Sequence, residues 1–185
     1  VTGATGFLGG ALALRLAAEG VQVLALARRQ GRDAHLRDVP NIHIVMGDIT
    51  DAPRMREVMQ GCDLVFHVAA ALQGPLEKQR KVNVQATRDL VLQASDANVA
   101  RFVHVSTIAV YGYHADGLIT EDTAQHPGNV PYNVSKSEGE AALFADAERF
   151  GLPYSIVRPG MIVGPRGKQW TDGMFQVGRR NPVIF

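Results

Sequence analysis

The sequence predicts an α/β fold, a parallel sheet with helices covering both of its faces. Three observations carry that expectation. Short apolar runs alternate with helical patterns along the whole chain, the runs are apolar on both faces, and glycines stand just past the ends of three helical patterns.

In order, Gly3-x-x-Gly6-x-x-Gly9 opens a helical pattern from Phe7 to Glu19, closed by Gly20. Val21 to Ala27 (VQVLALA) and Ile42 to Met46 (IHIVM) read as strands. Asp51 followed by Pro53 starts a helix that runs to Gln60, with Gly61 behind it. The strand Leu64 to Ala70 (LVFHVAA), the helix Glu77 to Asn98 and the strand Arg101 to Ser106 (RFVHVS) follow. A helix from Tyr132 to Phe150, closed by Gly151, and the strand Tyr154 to Val157 complete the series. The one long irregular segment, Tyr111 to Pro131, is rich in Gly, Pro, Asp and His, and a loop of that length in a compact domain is functional or mobile.

Composition narrows the function classes. The 185 residues are 46% hydrophobic and carry a net charge of +1, so no strong field recruits nucleic acid or an anionic membrane. The single cysteine, Cys62, forms no intrachain disulfide and fits a reducing, cytoplasmic setting. No apolar run is long enough to span a bilayer, and the first residues lack the pattern of a signal peptide. The chain begins at Val1 directly on the glycine turn, without most of a preceding strand, and stops at Phe185 inside continuing structure. It reads as a fragment of a longer protein.

The glycine turn has the form of a dinucleotide site. Glycines let the backbone turn tightly and approach a pyrophosphate, and the helix N-terminus offers free N–H groups to the anion. A turn without a ligand is the alternative, and the strand that follows argues against it. At the end of that strand an acid would accept from the adenosine ribose 2′-hydroxyl, whereas an arginine would take a 2′-phosphate. The position falls on Ala27, 18 residues beyond Gly9; Arg28 and Arg29 follow it. This favours NADPH over NADH, the alternative being two solvated arginines. Asp48 is placed to accept from the adenine amino group, to cap a helix, or both. His67, inside an apolar strand, reads as a packed core residue rather than a catalyst. Ala69, Ala70 and Ala71 leave room for a cofactor.

The stretch YNVSK puts Tyr132 and Lys136 four residues apart, hence on one face of a helix. A nearby positive charge lowers a tyrosine pKa and makes a usable general acid or base. The same spacing also suits two ordinary surface residues.

TGATGFLG at Thr2 to Gly9, GDIT at Gly47 to Thr50, HVAA at His67 to Ala70, VNVQAT at Val82 to Thr87, VSTIAVYG at Val105 to Gly112, YNVSK and RPGMIVGP at Arg158 to Pro165 occur in one order. On these motifs the chain resembles an extended short-chain dehydrogenase/reductase, the group of nucleotide-sugar epimerases and dehydratases, dihydroflavonol-type reductases and 3β-hydroxysteroid dehydrogenases. The resemblance implies a Rossmann-type doubly wound sheet over residues 1–165, with 166–185 beginning a C-terminal substrate-binding region. It implies hydride transfer, with Tyr132 moving the proton on the substrate oxygen. Lys136 would lower the tyrosine pKa and hold the nicotinamide ribose, and Thr107, or Ser106 beside it, would bond the substrate oxygen. The implied cofactor set is Gly3, Thr5, Gly6, Phe7, Leu8, Gly9, Arg28, Asp48, Ile49, Ala69, Ala70, Asn83, Tyr132, Lys136 and Pro159, with no metal. Met161 stands where nucleotide-sugar members tend to carry asparagine, which favours an apolar or aromatic ketone/alcohol pair as the small-molecule substrate. The competing readings are a nucleotide-sugar epimerase or dehydratase with tightly bound NAD, and an NADP-sensing regulator without chemistry. The helices Glu77 to Asn98 and Tyr132 to Phe150 resemble those through which relatives form homodimers, and Val82, Leu90, Val91, Ala141, Leu143 and Phe144 fit either such an interface or packing on the sheet.

Overall fold

In the computed structural model, which describes residues 1–112 and 117–180, every strand pair is parallel. β1 (Val23–Ala27) pairs with β2 (Ile42–Met46), and β3 (Leu64–His67), β4 (Arg101–Val105) and β5 (Tyr154–Val157) pair in sequence order. Val1 and Thr2 join the two groups. The Val1 amine donates to the Leu24 carbonyl, Leu26 N–H donates to Val1, and Thr2 N–H donates to Phe66 at 2.9 Å. The strand order is therefore β2, β1, the Val1–Thr2 bridge, β3, β4, β5, with the glycine turn at its centre.

The helices start and stop for local reasons. α1 (Phe7–Ala18) follows Gly6, and α2 (Ala52–Met59) is capped by the Asp51 carboxylate, which accepts from Arg54 N–H at 3.1 Å. α5 (Pro131–Phe150) begins on proline and ends at Gly151, whose φ of 66° a glycine adopts without strain. β3 is shorter than the apolar run predicts. After His67 the N–H groups of Val68 and Ala69 turn to the Thr2 hydroxyl, 3.1 Å from each, and leave the ladder.

The helix expected over Glu77 to Asn98 is two helices, α3 (Leu76–Arg80) and α4 (Ala86–Asp96), joined by a π-helical turn, Lys81–Gln85. The inserted turn has a visible support. The Asn83 side chain accepts from Ala71 N–H at 2.7 Å and donates to the Ala71 carbonyl and the Ser135 hydroxyl. A β-carbon on Gly139 of α5 would lie 2.4 Å from the Asn83 carbonyl oxygen, so only glycine admits that approach.

One apolar core joins α2, α4 and α5 to the sheet around Phe102, and a second lies between α1, β1, β2 and Leu36. Leu90, Val91 and Leu143 are fully buried in the first. Packing on the sheet, rather than a subunit interface, is what these three serve, because their faces of α4 and α5 turn inward. The remaining elements are a 3₁₀ turn (Ile108–Tyr111), a π-helical turn (Lys168–Asp172) and α6 (Gly173–Arg180). The long segment Tyr111 to Pro131 has residues 113–116 outside the described residues, as is 181–185 of the expected C-terminal region. Among the described residues no helix is long and apolar enough to cross a membrane.

Candidate active site

Two constellations meet at the carboxyl ends of the strands, where open parallel sheets bind their ligands. The first is made of backbone. Gly3 has a φ of 67°, and a β-carbon there would sit 2.8 Å from Ala69 N; on Gly9 it would sit 2.3 Å from the Gly3 carbonyl. Turn, helix and the end of β3 thus touch with no room for side chains. No side chain caps α1, so the first-turn N–H groups of Phe7 and Leu8 are left for an anion. A β-carbon on Gly164 or Gly167 would abut the Phe7 ring, and Arg166 donates to the Thr5 carbonyl at 3.3 Å, so the segment after β5 lies over this turn. The cradle fits a dinucleotide pyrophosphate.

Arg28 is exposed just past β1, its guanidinium 3.9 Å from the Asp48 carboxylate. Asp48 does not cap α2. Its carboxylate accepts from the Thr50 N–H and hydroxyl, while Asp51 is the cap. The Ile49 side chain is buried in the core. Asn83 spends its amide on Ala71 and Ser135, which fixes the segment after β3 against α5. The Pro159 carbonyl accepts from Ile108 N–H and ties the segment after β5 to the one after β4.

The second constellation is made of side chains. Thr107 caps the 3₁₀ turn, its hydroxyl accepting from Ala109 N–H at 3.2 Å, and its side chain is close enough to the Tyr132 phenol to act on that group's pKa. The Ser106 hydroxyl beside it is buried without a partner. Burial pushes the Tyr132 phenol above its ordinary pKa, with Thr107 pulling partly back. That is opposite to the direction the Tyr/Lys spacing predicts. The Lys136 ammonium is turned elsewhere: it donates to the Val105 carbonyl at 2.9 Å and lies 3.1 Å from His104 Nε2. Burial lowers Lys136 to about 8, with Glu140 opposing.

A model of the NAD-dependent epimerase/dehydratase family matches residues 1–180. The chain belongs to that family. Its members are nicotinamide-dependent epimerases, dehydratases and reductases. Sterol demethylase protein B of Methylococcus capsulatus is 35% identical, over 97% of this chain and 54% of that protein. Ceramide reductase of Caulobacter vibrioides is 34% identical, over 100% of this chain and 52% of that protein. A solved dTDP-glucose 4,6-dehydratase of Streptomyces venezuelae, DesIV, with NAD bound, superposes with a TM-score of 0.83 at 29% identity, over 97% of this chain and 61% of its own. The chain spans about half the length of the curated relatives it matches.

A buried charged cluster that sequence reasoning did not place lies behind this constellation. Glu140, fully buried, accepts from Arg158 at 2.7 Å and from Gln125 at 2.7 Å. Arg158 also bonds the Tyr111 hydroxyl and lies over its ring. This cluster binds the segment after β5 to α5 and to the long connection before it. Glu140 lies four residues after Lys136, on the same helix face, and that spacing was the available signal. His104 had none, because a histidine in an apolar strand reads as core.

Proposed function

We propose that this chain is the cofactor-binding part of an NADP-dependent oxidoreductase that interconverts a ketone and a secondary alcohol. Residues 1–165 hold the dinucleotide, and 166–185 open the region that completes the substrate site. The reading rests above all on α5, which sets the half-buried Tyr132 one helical turn from Lys136, beside Thr107 at the carboxyl end of β4.

When bound, the nicotinamide supplies or takes up the hydride. Tyr132 gives its phenolic proton to the substrate oxygen in reduction and removes it in oxidation. Thr107 stabilises the phenolate by its hydrogen bond and holds the ring in place. Lys136 keeps a positive charge one turn away. Arg28 favours the 2′-phosphate, with no acid at Ala27 to repel it. Leu72, Ile108, Met161 and Val163, each just beyond a strand's carboxyl end, are exposed apolar side chains, and this rim supports an apolar substrate. A homodimer belongs to the same reading, through the exposed Leu92, Ala141 and Phe144 on α4 and α5. A second reading, an epimerase or dehydratase that retains NAD, is favoured by the NAD held in the dehydratase relative.

Calorimetric titration with NADPH and NADH, paired with turnover on ketones and secondary alcohols, tests the proposal. NADPH binds more tightly, and Arg28→Ala removes that preference. Tyr132→Phe lowers turnover by about a hundredfold or more with cofactor affinity held within about twofold. Turnover that survives Tyr132→Phe overturns the proton-donor assignment. NAD retained through purification replaces the first reading by the second.

A further inference from the structure

His104 is an unusual thing to find behind a lysine. It is completely buried in β4, between Phe102 and Ser106 on the face that meets α5. Its Nε2 lies 3.1 Å from Lys136 Nζ, while its Nδ1 is buried with no partner. An ammonium only donates, so Nε2 accepts and the ring proton sits on Nδ1. A buried N–H without an acceptor costs stability. The tautomer that incurs this cost is the one that serves the lysine.

We propose that His104 is a positioning residue for Lys136: its neutral imidazole and the Val105 carbonyl together take two of the three ammonium N–H groups and fix the direction of the third. A lysine chain has four rotatable bonds and points poorly when held at one atom. Two acceptors, one from the backbone and one from a ring locked in the sheet, fix it as a single acceptor does not. The charges around it are few. Tyr132 lies one turn before it on α5, and Glu140 lies one turn after it and is engaged by Arg158. His67 on β3 stays neutral through burial. Burial and the Lys136 charge also keep His104 itself unprotonated. The inference rests on the Tyr132/Lys136 reading, but its test does not require turnover.

Lysine-labelled protein, in which the Lys136 signal is assigned by its loss in Lys136→Arg, is followed by NMR through a pH titration. His104→Leu shifts the Lys136 midpoint down by about one pH unit, since an acceptor for the charged form is gone. His104→Gln, whose amide oxygen reaches the Nε2 position, holds the midpoint close to wild type. His104→Asn is too short to reach and behaves like the leucine variant; it serves if that variant does not fold. NADPH affinity at neutral pH falls about tenfold in the Leu or Asn variant and stays within about twofold in the Gln variant. An unmoved midpoint in both His104→Leu and His104→Asn, or a Gln variant that shifts as they do, overturns the proposal. Failure of the catalytic reading looks different: turnover survives Tyr132→Phe while the titration behaves as stated.

Discussion

His67 and His104 occupy adjacent strands in register, their ring centroids 5.2 Å apart. Both are buried in the same layer, yet they do opposite things. The Thr2 hydroxyl accepts from two backbone N–H groups and donates to His67 Nδ1 at 2.8 Å; His67 Nε2 donates to Thr87, which donates to the Asn83 carbonyl. Every atom of that chain is satisfied, and it ties the glycine turn to β3 and to the π-helical turn. His104 gives one nitrogen to Lys136 and leaves the other without a partner. Residue type and burial are alike on the two sides. What separates a framework histidine from a site histidine is the partner that the neighbouring helix presents.

The sharpest way to break this comparison is His67→Leu. It leaves the Thr2 hydroxyl proton without its acceptor in the core, removes a donor from Thr87, and lowers unfolding stability by about 3 kcal/mol in urea titration. The Lys136 midpoint stays where it is; if it moves as it does in His104→Leu, the two histidines form one unit and the contrast fails.

The next effect is in acid. Burial holds His67 near 3 in the folded protein, against 6.5 when unfolded. Between those values the unfolded chain binds more protons, so stability present at neutral pH is lost as pH falls from about 6.5 toward 3. At pH 5 the His67 share is about 2 kcal/mol, so the wild type loses that much more than His67→Leu between pH 7 and 5. Equal losses in the two proteins would mean that His67 is charged or exposed in the fold.

The smallest effect belongs to Gly139→Ala. Alanine favours a helix over glycine by about 1 kcal/mol, but its β-carbon collides with the Asn83 carbonyl at the end of the His67 chain. A net loss of about 1 kcal/mol, with NADPH affinity reduced, is the expected result in paired unfolding and binding measurements. A gain in stability would show that the π-helical turn yields freely.

Particular elements show what could be read in advance. The glycine turn, the Asp51 cap, the closures at Gly20, Gly61 and Gly151 and the strands Ile42–Met46 and Tyr154–Val157 were legible, because each depends on a few neighbouring residues. The Tyr132/Lys136 pair was legible as a spacing on a helix face, and His67 as a packed core residue. The direction of the tyrosine's pKa was not, since it follows from burial, and nor were the acceptors that β4 brings to Lys136 from 31 and 32 residues away. The break in the helix expected over Glu77 to Asn98 was hidden too, because its supports, Ala71, Ser135 and Gly139, lie on other elements.

The sequence by itself determined the alternation of strands and helices, the parallel sheet, the dinucleotide turn and the family. Backbone propensity, capping and apolar periodicity act over a handful of residues and can be read along the chain. Only the tertiary structure decided that Leu90, Val91 and Leu143 face the core and that Glu140 pairs with Arg158. It also decided which of two buried histidines holds the lysine. Hydrogen bonds and desolvation depend on distances between atoms remote in sequence, and those distances exist only once the sheet and helices have packed.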